Sequence, residues 1–240
     1  MSDSNMSDAH VAEPQPRAGS AGNARYTLYY VPGAASFAVH WMLLEVGAPF
    51  ELIKVDLGAR AQRSVSYLAL NPDGRVPTLI VDGEPRAECA ALLMLLAERH
   101  SSAGLMIDLT DPRRPTFLQT MFYLANTLQP AFRAWFYADE PAGPENTEAA
   151  KRQARATIEA AWQRLDTQLA DERLYLTGPT LTAADFLATM LMRWSREMPL
   201  PAIRFHHIAL YIERMWSHSS LRLVHEREGL SADWIVRKQP

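Results

Sequence analysis

The sequence predicts two structural classes in series, a βαβ–ββα domain followed by an all-helical domain. Segments rich in β-forming residues alternate with helical segments only as far as about residue 100. After that point the apolar residues recur every three or four positions, which is the spacing of amphipathic helices. A length of 240 residues is enough for two domains of ordinary size.

The composition excludes several classes of protein. Hydrophobic residues make up 48% and charged residues 21%, as in ordinary globular proteins. A net charge of −3 argues against a nucleic-acid binder. The single cysteine, Cys89, excludes an internal disulfide framework and any Cys₂-based zinc site. The longest apolar run, Ala90 to Ala97, is too short to span a membrane. We therefore expect a cytoplasmic protein without a metal, nucleic-acid or membrane partner.

The first domain is expected over residues 26–103 and opens with a βαβ unit. Residues 1–25 are rich in Ser, Asp, Ala, Gly and Pro and are predicted to be a disordered tail. A strand is predicted over Tyr26–Val31, a helix over Ala34–Val46 and a second strand over Phe50–Leu57. This order favours a parallel pair of strands joined by a crossover helix.

A hairpin and a buried helix are predicted to complete the first domain. Asp82 and Gly83 form a tight-turn pair between a strand over Val76–Val81 and a short return strand over Arg86–Glu88. A weaker helical pattern, Arg60–Leu70, precedes them, and the segment Cys89–His100 is apolar on nearly every face. The last pattern is typical of a helix buried on all sides.

A linker is predicted over residues 104–111 and the helical domain over residues 112–240. Asp111 is expected to cap a helix, with Pro112 at its first position, where the missing proline N–H costs nothing. The helical spacing then runs to Pro130, where we expect a kink or a break.

A capping box is the strongest local signal in the second half of the chain. A long amphipathic stripe over Ala150–Leu169 precedes it. Thr182 can accept from the amide of Asp185, while the Asp185 carboxylate reaches back to the Thr182 amide. Leu181 and Phe186 flank the box where a hydrophobic staple requires them.

Three segments are informative because of their order along the chain. They are Leu28–Ser36 before a helix, Asn71–Pro77 with Glu88 a short hairpin later, and Thr182–Asp185. Together they resemble the glutathione transferase family, in particular its bacterial beta class. The resemblance implies a thioredoxin-like first domain, a homodimer, and glutathione as co-substrate without a metal. It implies a detoxification enzyme that activates the glutathione thiolate for attack on an apolar electrophile. The alternative is a glutathione-binding regulatory or chaperone-like protein with little catalysis.

The resemblance assigns part of the glutathione site to the hairpin. Pro77 is expected to follow a cis peptide bond, which turns the amide and carbonyl of Val76 toward the cysteinyl backbone of the ligand. Glu88 is expected to accept the α-amine of the ligand. The structural alternative for Pro77 is an ordinary trans proline in an edge strand. The alternative for Glu88 is an ordinary glutamate in the first turn of a helix.

Two further positions depart from the family pattern. Cys89 stands where the family usually has Ser or Thr beside the γ-glutamyl carboxylate. The thiol is a weaker donor, and the alternatives are a packed cysteine and a reactive thiol whose pKa the helix N-terminus lowers. Arg60 follows the segment where beta-class relatives carry a lysine for the glycine carboxylate, with Gln62 and Arg63 as close alternates and a solvated helix residue as the structural alternative.

The catalytic position is expected to lie at the start of the first helix. Beta-class relatives place a cysteine where this chain has Ala35, and Pro130 occupies the region of their basic pair, so a disulfide-forming mechanism is excluded. The hydroxyl of Ser36 could donate to the thiolate or could instead cap the helix. Tyr30 is a second candidate donor, although its place on a strand favours packing.

Residues from the segments expected near the domain cleft are candidates for an apolar second-substrate pocket. The alternative for each aromatic side chain is ordinary core packing. The candidates are Phe37, Tyr123, Phe132, Arg133, Trp135 and Phe136.

Overall fold

The computed structural model describes residues 26–236, and the predicted tail, residues 1–25, lies outside them. The first part contains one four-stranded sheet in the order β2-β1-β3-β4. Strands β1 and β2 pair in parallel, whereas β3 is antiparallel to both of its neighbours. The strands are β1 Tyr26–Tyr30, β2 Phe50–Lys54, β3 Thr78–Val81 and β4 Glu84–Arg86.

Three helices accompany this sheet, α1 Ser36–Glu45, α2 Val65–Leu70 and α3 Cys89–Arg99. The predicted βαβ–ββα order with a mixed sheet is confirmed. The predicted return strand was wrong by two residues, because pairing resumes with Val81 opposite Glu84 immediately after the tight turn.

The predicted helix Arg60–Leu70 is divided into two pieces. A short 3₁₀ turn covers Ala61–Arg63, and α2 starts only after Ser64, whose extended backbone interrupts the helical run. The Ser64 hydroxyl accepts from the Tyr67 amide at 3.2 Å and so caps α2.

Helices fill the second part of the chain. They are α4 Arg114–Tyr123, α5 Gln129–Phe136, α6 Asp139–Ala142, α7 Thr147–Leu169, α8 Ala183–Trp194, α9 His206–Ser217 and α10 Ser219–Glu228. The predicted start of α4 was wrong. The Asp111 carboxylate accepts from the amide and guanidinium of Arg113, at 2.8 and 2.6 Å, so it stabilises the turn before the helix. Within residues 26–236, no helix is both long and apolar enough to cross a membrane.

Pro130 does not break the helix that it enters. A π-helical turn, Leu124–Leu128, joins α4 directly to α5. Since proline has no N–H to donate, a widened turn ahead of it accommodates the missing hydrogen bond without ending the helix. Of the expected kink or break, the break does not occur; a local bulge takes its place, and this bulge faces the cleft described below.

Helix α8 forms the centre of the core. All residues from Ala183 to Arg193 are buried, and the helix packs against α1, α3 and α4. The rings of Trp41 on α1 and Phe186 on α8 have centroids 4.2 Å apart. The second part of the chain therefore packs directly on the helices that flank the sheet.

The Asp185 carboxylate fixes the start of α8. One oxygen accepts from the amide and the hydroxyl of Thr182, at 2.8 and 2.9 Å. The other accepts from the Leu176 amide at 2.9 Å and the Tyr211 hydroxyl at 2.8 Å. Complete burial raises the pKa of Asp185, and these hydrogen bonds oppose the rise. The predicted capping box thus extends to a loop and to α9.

Replacing Asp185 with asparagine is expected to lower the free energy of unfolding by about 3 kcal/mol, because the new NH₂ group leaves buried donors without an acceptor. Urea denaturation followed by circular dichroism measures the change. Asp171→Asn, which alters an exposed ion pair with Arg173, serves as the control and should cost less than about 1 kcal/mol. Equal losses in the two variants would contradict a special role for Asp185.

Candidate active site

A cleft of about 610 Å³ opens between the sheet domain and the helices. One wall consists of the loop before α1, the start of β3 and the start of α3, and the other consists of the α4–α5 bulge and the end of α8. Among residues 26–236, no cluster of three or more His, Cys, Asp or Glu side chains could hold a metal ion.

Four predicted binding residues lie together in this cleft, namely Val76, Pro77, Glu88 and Cys89. The peptide bond between Val76 and Pro77 is cis, as predicted. The strand-opening proline and the start of α3 therefore face the same cavity, although a short hairpin separates them in sequence.

Glu88 has a backbone conformation that is unusual for a residue with a side chain. Its φ is 67° and its ψ is 104°, at the position that precedes α3. Backbone strain of this kind is concentrated at functional sites. Glu88 is exposed and lines the cleft together with Cys89 and Ala90, whose first-turn amides have no acceptor within the helix.

Cys89 is a packed thiol. Its sulfur is buried and donates to the carbonyl of Ala35 at 3.3 Å, which ties the start of α3 to the loop before α1. Burial raises the pKa of the Cys89 thiol to about 12, and the neighbouring charge of Glu88 adds to the rise. The group is therefore protonated at neutral pH and is not a nucleophile.

The structure does not bring Arg60 into the cleft. Arg60 is exposed, with φ 55°, and its two close alternates in the sequence, Gln62 and Arg63, line the cleft instead. Gly74 explains how this segment is held: a Cβ there would lie 2.7 Å from the Gln62 carbonyl, so only glycine permits the approach. The Gln62 Oε1 atom is buried and has no hydrogen-bond partner among the described residues.

Neither predicted catalytic hydroxyl reaches the cleft. The Ser36 hydroxyl is fully buried, accepting from the Val31 amide and donating to the Val31 carbonyl, both at 3.1 Å. Tyr30 packs edge-on against His40 with ring centroids 5.9 Å apart. The cleft instead contains the backbone of the loop that leads into α1.

This loop is held from both sides at Gly33. The Glu228 carboxylate accepts from the Gly33 amide at 2.7 Å, and the Trp194 indole donates to the Gly33 carbonyl at 2.8 Å. His40 Nδ1 donates to the other oxygen of Glu228 at 2.8 Å, and both side chains are fully buried. Glu228 lies 195 residues from Gly33, so no local pattern could have revealed the contact.

Arg193 lies behind the same loop. The φ of +70° at position 33 favours glycine, and a Cβ there would also lie 2.8 Å from the Arg193 guanidinium. The pKa of Arg193 is lowered to about 10, chiefly by burial and to a smaller extent by the charge of Arg196, while the Glu228 carboxylate opposes both effects. Positive charge is thus concentrated at the end of α8.

Two of the six predicted second-substrate residues line the cleft, Arg133 and Phe136. Phe37 and Phe132 are fully buried in the core, where the sequence alternative placed them. Tyr123 packs under the Arg164 guanidinium, 4.2 Å from its ring, and Trp135 packs against the core. All six residues belong to segments that were expected near the cleft, so the direction of each side chain decided whether it lines the cleft.

Several lining residues of this wall were not foreseen. They are Ala125, Asn126, Gln129, Pro130, Tyr137, Glu140, Trp194 and Arg196. Those on the α4–α5 segment follow the helical spacing of Arg133 and Phe136, so the phase of that helix would have identified them. Trp194 and Arg196 lie at the end of α8, where the sequence offered no comparable signal.

Comparison with known proteins agrees with this geometry. Residues 24–98 match the family model of the glutathione S-transferase N-terminal domain. Glutathione S-transferase GstA of Escherichia coli O157:H7 is 31% identical over 205 residues, which cover 85% of this chain and 98% of the relative.

Solved structures show the same fold over the same span. A glutathione transferase homologue from Sulfitobacter with bound glutathione superposes with a TM-score of 0.79 at 26% identity, covering 87% of this chain and all of that one. A bacterial beta-class enzyme from Sphingomonas chungbukensis has a TM-score of 0.74 at 26% identity, covering 85% of this chain and 100% of its own. The thioredoxin-like first domain and the helical second part are therefore confirmed, and the chain belongs to the glutathione transferase family.

Proposed function

We propose that this protein transfers the glutathione thiolate to an electrophile, and that backbone amides at the start of α1 activate the thiol. The observation that carries the proposal is the opening of this helix start into the cleft at Ala34 and Ala35. Ser36, the first residue of α1, has its hydroxyl committed to Val31. In this proposal its role is to fix the helix start.

The γ-glutamyl end of glutathione is assigned to the start of α3. Its amine meets the Glu88 carboxylate, and its carboxylate meets the amides of Cys89 and Ala90, which belong to the first turn and have no intrahelical acceptor. These three residues line the same part of the cleft. The fixed backbone at Glu88 supports this arrangement because it places the carboxylate beside the helix start.

The remaining peptide groups of glutathione are assigned to β3 and to the turn before α2. The cysteinyl backbone pairs with the amide and carbonyl of Val76 as an added strand. The glycine carboxylate meets Arg63, with Gln62 beside it; Arg60 has no part in the proposal, since it does not line the cleft.

The thiolate is assigned to the amide of Ala35. The neighbouring amides of Ala34 and Phe37 donate to Val31 and Ala34 carbonyls, at 3.1 and 2.9 Å. The Ala35 amide has no acceptor among the described residues. An anion at this point receives a hydrogen bond and the favourable end of the helix dipole, and both lower the pKa of a thiol.

In the reaction, the sulfur of the glutathione thiolate forms a bond to the electrophilic carbon, the leaving group departs with its electron pair, and the thiol proton passes to solvent. The hydrogen bonds of Gly33 with Glu228 and Trp194 keep the Ala35 amide directed at the sulfur. A homodimer remains a prediction from the resemblance, and a cytoplasmic location remains a prediction from the composition.

Glu88→Gln is expected to weaken glutathione binding about tenfold or more, because a neutral amide cannot pair with the ammonium group of the ligand. Isothermal titration calorimetry with reduced glutathione measures the change. Glu84→Gln is the matched control, an exposed glutamate in the same hairpin that does not line the cleft. Undiminished affinity in Glu88→Gln would overturn the assignment of this end of the site.

Ala35→Pro removes one amide donor at a residue whose φ of −60° already suits proline. We expect the pKa of the bound glutathione thiol to rise and kcat/KM to fall about tenfold or more. The ultraviolet absorbance of the thiolate, followed against pH, measures the first effect, and calorimetry verifies that glutathione still binds.

Ser36→Ala is the companion variant. Because its hydroxyl acts only through the position of the helix start, this variant is expected to raise the thiol pKa of bound glutathione much less than Ala35→Pro does. A larger rise in Ser36→Ala than in Ala35→Pro, or an unchanged pKa in Ala35→Pro, would contradict activation by the backbone. Glutathione binding without turnover of any electrophile would favour the alternative of a binding protein with little catalysis.

A further inference from the structure

The helical wall of the cleft carries polar side chains beside the apolar ones that the sequence predicts for a second-substrate pocket. The α4–α5 segment directs Asn126, Gln129 and Arg133 into the cleft from successive turns, and Arg196 lines it from beyond the end of α8. A pocket for a purely hydrocarbon electrophile would leave these groups facing apolar surface, which is unfavourable.

The charge of Arg133 is already neutralised within the protein. Its guanidinium donates to the Glu140 carboxylate at 2.5 Å and stacks over the Tyr137 ring at 4.7 Å from the centroid. Since Glu140 also lines the cleft, this pair contributes little net charge to a bound molecule.

Arg196 has no comparable partner among the described residues. Its Nε atom lies 3.9 Å from the carboxylate of Glu197, on a side chain that is 82% exposed. The Arg196 guanidinium also donates to the Arg193 carbonyl at 3.2 Å. The buried charge of Arg193 lies close enough for Arg196 to lower its pKa, so an anion bound at Arg196 would relieve repulsion between two arginines.

The aromatic residues beside Arg196 lie next to the assigned position of the sulfur. The indole of Trp194 bonds to the Gly33 carbonyl, two residues before Ala35. The ring of Phe136, 49% exposed, lies 6.0 Å from that indole in an edge-on arrangement. An aromatic electrophile packed on these rings would therefore sit beside the reacting atom and within the same cleft as Arg196.

We infer that the electrophile of this enzyme is an aromatic compound that carries a carboxylate or a similar anionic group, with its ring against Trp194 and Phe136 and its anion at Arg196. The inference rests on the proposed function and specifies its second substrate. The carboxylates of glutathione do not occupy Arg196 in this arrangement, because they are assigned to the α3 start and to Arg63.

Two electrophiles that differ in one carboxylate provide the test. They are 2-chloro-1,3-dinitrobenzene, which is neutral, and 4-chloro-3,5-dinitrobenzoate, which has the same ring with a carboxylate para to the chlorine and is anionic at neutral pH. In both reactions a carbon–sulfur bond forms, the carbon–chlorine bond breaks, chloride leaves with the electron pair, and the thiol proton goes to solvent. The measurement is kcat/KM for each electrophile at saturating glutathione.

Arg196→Gln is expected to lower kcat/KM for the benzoate about tenfold or more, the loss of one charge-assisted contact, while the neutral compound is little affected. Arg196→Lys should retain much of the benzoate activity because it keeps the charge. Arg152→Gln is the control for net charge, since this exposed arginine on α7 does not line the cleft. Added salt should reduce the benzoate activity of the natural sequence more than the neutral activity.

The outcomes separate this inference from the proposed function. Turnover of both compounds with no selective loss in Arg196→Gln would overturn the anionic substrate and leave the transferase activity intact. Glutathione binding without turnover of either compound would overturn the proposed function and this inference with it. A selective loss of the benzoate reaction in Arg196→Gln, but not in Arg152→Gln, supports the assignment.

Discussion

The buried carboxylate of Glu228 is the contact on which the geometry of the cleft depends. It accepts from the Gly33 amide and from His40, and the Trp194 indole holds the carbonyl of the same glycine. A buried charge is tolerated only when its partners are complete, so this carboxylate requires the loop in one position. The loop before α1 is therefore placed by helices from the other end of the chain as much as by its own sheet.

Helix α8 connects the stability of the fold to this loop. Asp185 fixes the first turn of the helix through four hydrogen bonds, and Trp194 contacts Gly33 from its last residue. Nine residues separate the two, a distance of about 13 Å along a helix. Since the intervening residues are buried and close-packed, a displacement at Asp185 cannot be absorbed locally. Weakening the capping box should therefore disturb the cleft as well as the core.

The sequence was sufficient where a residue's role follows from local geometry, and insufficient where it depends on distant packing. Turn residues, a strand-opening proline and a capping box predicted the fold, and the family resemblance that they carry assigned Val76 and Glu88 to a binding site. Both residues line the cleft. Ser36 could not be placed, because a serine at a helix start can face either the cleft or its own preceding strand. Phe37 and Phe132 carry the same ambiguity, which only the packing of α8 and α10 resolves. Glu228 lies too far along the chain to be associated with Gly33 by any local rule.

In the proposed function the backbone activates the thiol and the side chains of the helical wall bind the electrophile. This arrangement explains how the site tolerates alanine at position 35. The side chains near the assigned sulfur are poorly suited to act as a base, because the Cys89 thiol has a pKa of about 12 and the Ser36 hydroxyl is bonded to Val31. A backbone amide carries out the same stabilisation and does not titrate, so it imposes no pKa of its own on the reaction. Activation by the backbone leaves the side chains of the helical wall free to differ without affecting the thiolate. Substrate choice would then reside in Arg196 and its aromatic neighbours, at the end of the same helix that positions the loop.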